Sequence, residues 1–209
     1  MTHKLQSLIL VEFSEKMNNI SQKDAENAVI TLLKYINPDN LDDILKNTPG
    51  SVINAFQVLF SGYNSTLNVT DFVTFDNKNL GNTMVFLDNI AFHSTCEHHI
   101  LPIRGVVNIA YIPGAKIIGI GEIGKVVNIF ANRLQLQEKM GVQIAEFLDQ
   151  ITVSRGVALH IAAQHDCMNY LNPSSKTTVN TTYFTGEFAV NSDKKLEFIN
   201  MLQNNKPGL

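Results

Sequence analysis

Cys96-Glu97-His98-His99 is the densest chemistry in the chain. A thiolate and an imidazole three residues apart, Cys96 and His99, can grip one ion from a turn, which is half of a zinc site. The other half has to come from elsewhere. Gln164-His165-Asp166-Cys167 supplies it, because Cys167 is the second of only two cysteines. Cys96, His99 and Cys167 then make three ligands and leave a fourth position for water, the arrangement of catalytic rather than structural zinc. Zinc lowers the pKa of bound water to about 7 and so makes a nucleophile at neutral pH. Beside the ligands stand His98 and His165, both suited to general acid–base work. His165 precedes Cys167 by two, so a strand would turn both to one face. The competing reading makes Cys96 and Cys167 buried thiols, and a disulfide is a further alternative. A His-x-Cys in the same chain as a Cys-x-x-His favours the metal, and two thiolates favour zinc over iron or manganese. His3, His93 and His160 lack such company. His160 reads as a strand residue and His3 as part of a disordered terminus.

The elements that must position these residues fall into two textures. Residues 1–62 read as a helical segment. Ser21 and Asp24 form a capping-box-like start, followed by Ala25, Ala28, Val29, Leu32 and Leu33 at helical spacing. Asn37-Pro38-Asp39-Asn40 breaks that helix. A second apolar stripe, Val52, Ala55, Phe56, Leu59 and Phe60, starts just after Pro49-Gly50 and ends at Ser61-Gly62. From Tyr63 the texture changes. Residues 83–92 and 104–112 are rich in β-branched and aromatic side chains. Val106, Asn108 and Ala110 alternate there with Val107, Ile109 and Tyr111, which predicts a sheet with two unlike faces. Residues 122–149 return to helical spacing, and 156–164 and 177–190 read as strands. Neighbouring strands with a two-helix insertion predict an α+β domain with an antiparallel sheet over 63–190. The tail 191–209 is polar and reads as a last helix or a frayed end.

Composition narrows the function class. Of 209 residues, 44% are hydrophobic and 17% charged, which excludes a disordered or collagen-like chain. The net charge is −3, with −5 in residues 1–100 and +2 in residues 101–209. Neither half is a basic footprint, so nucleic acid is not an expected partner. No apolar run reaches the roughly 18 residues of a membrane span. The short run Leu5–Phe13 lacks a charged start and a small-residue cleavage site, so a cytoplasmic protein is expected.

Several blocks together resemble GTP cyclohydrolase I. They are Asp88-Asn89-Ile90, Ser94-Thr95-Cys96-Glu97-His98-His99, Leu101-Pro102, Gly105, and Ile109-Ala110-Tyr111-Ile112-Pro113. Further on come Arg133-Leu134-Gln135-Leu136-Gln137-Glu138 and His165-x-Cys167-Met168, and upstream Thr48-Pro49 and Phe60-Ser61-Gly62-Tyr63. The likeness runs from about Ala25 to Phe188. The resemblance implies the tunnelling fold (T-fold), in which subunits contribute antiparallel sheets to a barrel with helices outside. It implies a homodecamer of two stacked pentamers with sites at subunit junctions. It implies that Cys96, His99 and Cys167 hold zinc, that His98 and His165 move protons, and that Gln137 and Glu138 anchor the purine. A carboxylate suits guanine because it accepts from N1–H and the exocyclic amine together. The implied reaction adds water at C8 of the guanine imidazole ring of GTP, opens it, releases formate and closes a pterin ring. The product, 7,8-dihydroneopterin triphosphate, feeds folate or biopterin synthesis.

The departures from the family pattern cluster at the phosphates. Ser51 stands where the family has Arg, Gly121-Glu122 where it has Ser-Lys, and Leu171 near another usual Arg. Lys125 survives, and Lys176 and Arg104 are the other candidate cations. A triphosphate carries about four negative charges, and charge-assisted contacts are its main source of affinity. Glu122 would repel it. The alternative expectations are therefore a paralogue acting on a related purine or pterin without a triphosphate, or a non-catalytic zinc protein on the same fold.

Overall fold

The computed structural model describes residues 20–36, 42–78, 83–171 and 177–204. His3, Lys176 and the breaker at 37–40 lie outside them. The chain divides into two compact units between Val58 and Leu59.

The first unit is helical. Helix α1 spans Gln22–Ile36. The capping box at its start is formed, with Ser21 N donating to Asp24 Oδ2 at 3.0 Å and Asp24 N to Ser21 Oγ at 3.2 Å. The Ser21 hydroxyl, donating to Asp24 Oδ2 at 2.6 Å, and then the Ser21 backbone N–H hold the Asp24 carboxyl below its ordinary pKa. No α1 residue is fully buried: Ala25, Val29 and Leu33 of the predicted stripe are half-buried, while Ala28 and Leu32 are exposed. Helix α2 spans Asp42–Leu59, nine residues longer at its start than the stripe after Pro49-Gly50 suggests. Pro49 lies inside it and is buried. Proline removes one backbone donor there, yet the helix runs through.

In the second unit the strands are β1 (Thr74–Asp76), β2 (Val85–Cys96), β3 (Pro102–Ile112), β4 (Lys116–Ile118), β5 (Leu134–Gln135), β6 (Gly156–His165) and β7 (Thr178–Phe184). Helices α3 (Ile120–Ala131) and α4 (Gln137–Thr152) form the insertion, and α5 (Asp166–Leu171), α6 (Gly186–Val190) and α7 (Ser192–Asn204) follow. The main sheet has the order β5-β2-β3-β6-β7. All its pairs are antiparallel except β2 with β5. Strands β1 and β4 make a separate pair. The architecture is α+β, as the strand and helix order predicts.

The two faces differ as the alternation in β3 requires. Val107, Ile109 and Tyr111 pack with Val157, Leu159 and Ile161 of β6 against Ile123, Val126 and Val127 of α3 and Met140, Ile144 and Leu148 of α4. Each such side chain, once covered, contributes about 1.5–3 kcal/mol. On the opposite face Ala110, Ile112 and Ala158 pack against Phe188 of α6 and Phe198 of α7. Gly105 lets β3 and β6 approach closely, because a Cβ there would lie 2.3 Å from Ala162 O. The predicted strand over 177–190 stops at Phe184. Gly186 takes φ +51° beside the Arg155 carbonyl, and the chain turns there into α6.

Candidate metal centre and its surroundings

The turn between β2 and β3 carries the first half of the site. Cys96 N donates to Leu101 O at 2.8 Å and Ile100 N donates back to Cys96 O at 2.9 Å, closing the loop. Ile100 takes φ +55°, a left-handed value rare for a β-branched residue. Strand β5 holds the turn from the other side. Thr95 and Cys96 pair with Leu134 and Gln135, and Glu97 N donates to Gln135 O at 3.1 Å. This two-residue strand also sets the start of α4 beside the turn. Lys139 of α4 pairs with Glu97 at 3.8 Å.

The end of β6 carries the second half. His165 pairs in register with Ile103, the second residue of β3. The strand stops at His165, and Cys167 lies in the first turn of α5. Strand parity is therefore not what joins His165 to Cys167; the helix start is. Asp166 between them is buried and forms an ion pair with Arg104 of β3. Arg104 is thus occupied in tying α5 to the sheet and is not a free cation for phosphate.

Cys96, His99 and Cys167 converge, with their ligand atoms within 4.8 Å of one another. Cys96 Sγ lies 4.0 Å from His99 Nδ1. Neighbouring donors around a tetrahedral zinc stand roughly 3.5 Å apart, so the trio has the donor set and nearly the spacing. Neither cysteine is in a disulfide. Burial and the Cys96 thiol beside it hold the Cys167 thiol above its ordinary pKa. A divalent ion reverses that preference by favouring thiolate. The chemistry of this donor set fits zinc.

The surrounding side chains separate into two groups. His165 Nε2 lies 2.8 Å from Gln137 Oε1. Burial pushes the His165 imidazole below its ordinary pKa, and the Glu138 carboxylate partly offsets this. Glu138 lines a cleft of about 230 Å³ with Gly141, Leu159, Thr181 and Tyr183. His98 is exposed, its ring 6.2 Å from that of His99. Lys125 lines a different cavity, of about 450 Å³, with Ser61, Gly121 and Asn128. It makes an exposed ion pair with Glu122 at 3.5 Å and lies 5.0 Å from the Phe72 ring. Leu171 closes α5. The Arg104–Asp166 and Lys139–Glu97 pairs escape a sequence reading. The one hint is an acid, Asp166, flanked by two site residues.

A three-donor cluster at one end of an antiparallel α+β sheet, with a histidine and a carboxylate beside it, defines a candidate metal-assisted hydrolytic centre. The family model described as GTP cyclohydrolase I matches residues 25–203. GTP cyclohydrolase 1 of Rickettsia typhi is 42% identical over 191 residues, covering 89% of this chain and 98% of that protein. GTP cyclohydrolase 1 of Allorhizobium ampelinum is 41% identical over 197 residues, covering 92% and 96%. A crystal structure of E. coli dihydroneopterin aldolase in complex with neopterin overlaps 50% of this chain and 99% of its own at 15% identity, with a TM-score of 0.41. The chain belongs to the GTP cyclohydrolase I family, a family of hydrolases. Its α+β sheet is the T-fold of that family. Among the described residues no helix is long and apolar enough to cross a membrane.

Proposed function

We propose that the protein is a zinc-dependent cyclohydrolase that converts GTP to 7,8-dihydroneopterin triphosphate and formate by opening the guanine imidazole ring at C8. One observation carries this reading: Cys96, His99 and Cys167 converge, with His165 two residues before Cys167 at the end of β6, in a chain 42% identical to a GTP cyclohydrolase 1. Zinc held by those three residues would supply Lewis acidity toward water and substrate. Glu138 accepts from guanine N1–H and the exocyclic amine in the cleft it lines. His165 takes and returns protons beside C8, with its imidazole kept neutral by burial. His98, in the exposed turn, serves as the second proton carrier. Two waters enter at ring opening and formate release, and pterin closure returns one.

The phosphates fall to Lys125 and to Lys176, which lies outside the described residues. The Lys125–Glu122 pair is exposed and therefore weak, so a triphosphate can draw Lys125 away from it. Oligomerisation completes the site in this reading, as a cytoplasmic decamer of two pentamers. Its support is exposed Leu32, Tyr35 and Ile36 of α1, the end strand β7, and exposed Val58, Ile120 and Val190. The division of labour we propose is a helical segment 1–62, a catalytic domain 63–190 and a tail 191–209. A second reading, a related purine or pterin without a triphosphate, is favoured by Glu122 beside Lys125 and by Ser51. Turnover of zinc-loaded protein on GTP, GMP and guanosine decides, read as formate release and the ultraviolet change of pterin formation. GTP conversion at least tenfold more efficient than that of guanosine is expected. Preference for guanosine would replace the first reading by the second.

A further inference from the structure

Gln137 looks, from its place beside Glu138, like half of a purine hook. Its surroundings assign it something else. It is the first residue of α4 and only 2% exposed. Its Nε2 lies 3.2 Å from Ile161 O, 3.1 Å from Val179 O and 3.0 Å from Thr181 Oγ1. Backbone carbonyls only accept, so the atom facing Ile161 and Val179 has to be the NH₂ group. This fixes which end of the carboxamide is oxygen, a choice otherwise ambiguous. The oxygen is then the atom 2.8 Å from His165 Nε2. An amide oxygen only accepts, so neutral His165 carries its proton on Nε2. Nδ1 is left with a lone pair, and no described residue makes a hydrogen bond to it.

We propose that Gln137 is a positioning residue and not a contact to the purine. Its carboxamide is anchored to β6 and β7 by its NH₂ group. It sets the tautomer and the ring plane of His165, so that Nδ1 is the nitrogen that exchanges a proton with substrate. This deepens the function proposed above and rests on it for the word substrate, but the tautomer itself does not depend on turnover. The anchor is long-range in sequence, reaching residues 24, 42 and 44 positions away. A helix N-terminus is thereby locked to the two strands that end the sheet.

The test has two readouts. The first is ¹⁵N nuclear magnetic resonance of histidine-labelled, zinc-loaded protein at about pH 8, where a histidine near its ordinary pKa is neutral. His165 is assigned by the signal missing in His165→Gln. The expected wild-type signature is a protonated Nε2 and a bare Nδ1, and Gln137→Met, similar in volume but without an acceptor, is expected to lose it. The second is steady-state kinetics of Gln137→Met on GTP. Partners that orient a histidine are worth roughly 10–100-fold. That loss is expected in kcat, with KM and zinc content within about twofold of wild type. A protonated Nδ1 in the wild type would overturn the proposal even if the variant failed to fold. So would a raised KM at unchanged kcat, which is the signature of a lost substrate contact. If the protein turned over no GTP, the proposed function would fall, while the tautomer measurement would still decide this inference.

Discussion

Strand β6 carries two histidines five residues apart, and they have opposite fates. An odd separation puts His160 and His165 on opposite faces of the sheet. Each meets a carboxamide oxygen at Nε2: Asn180 Oδ1 at 3.0 Å for His160 and Gln137 Oε1 at 2.8 Å for His165. The difference is at the other nitrogen. Nδ1 of His160 lies 3.2 Å from Asn108 Nδ2. Asn108 is buried, and its oxygen accepts from Asn89 N at 2.9 Å. Asn89 sits with φ +53° in the bulge that shifts the β2–β3 register between Leu87 and Ile90. His160 is therefore one link in a polar chain from β2 to β7 that holds a bulge, and both its nitrogens are spent on it. His165 has an Nδ1 that no described residue hydrogen-bonds, and it stands two residues before Cys167 of the converging trio. In the proposed function one strand thus carries a structural histidine and a chemical one, and the partners, not the residue type, set them apart.

The largest effect belongs to the thiols that give His165 its setting. Cys167→Ser replaces a thiolate donor by a hydroxyl that does not ionise near neutral pH. Metal content, measured by elemental analysis, is expected to fall from about one zinc per chain to near zero, and GTP turnover with it. Full zinc retention would detach His165 from any metal chemistry. Next comes the direct exchange of roles. His165→Ala is expected to lower kcat by about 10²–10⁴-fold, the usual worth of a positioned acid or base. His160→Ala is expected to leave kcat within about twofold. It should instead destabilise the fold by about 1–3 kcal/mol in chemical denaturation, because the Asn108 amide is left buried without its acceptor. Equal kcat losses in the two variants would erase the distinction.

Much of this was legible in the sequence, for physical reasons that can be named. Metal donors have few alternatives, so Cys-x-x-His and a distant Cys already marked the trio that converges in the structure. The two-faced sheet was legible because a period of two in β3 leaves no other burial pattern. The site's supports were not. Gln137 reads, with Glu138, as part of a purine anchor; its contacts with Ile161, Val179 and His165, on which the positioning role proposed above rests, come only with the tertiary fold. Strand β5 is two residues long and has no pattern to read. Arg104 reads as a spare cation until the fold sets Asp166 beside it. Pro49 marked a helix start on local grounds, yet α2 runs through it, because one missing donor does not stop a helix whose other bonds remain.

The smallest effect sharpens the comparison most, because it removes the same kind of contact that Gln137 makes. Asn180→Ala takes the oxygen from His160 Nε2. Asn180 is exposed on β7, an end strand of the sheet, so water can replace it. A hydrogen bond that water can replace is worth little, and a loss below about 1 kcal/mol is expected, with kcat unchanged. Gln137 is buried, so no water stands ready to take its place beside His165. If Asn180→Ala cost as much as His160→Ala, the polar chain from Asn89 to Asn180 would be acting as one unit. The bulge in β2 would then depend on the far edge of the sheet and not on Asn108 alone.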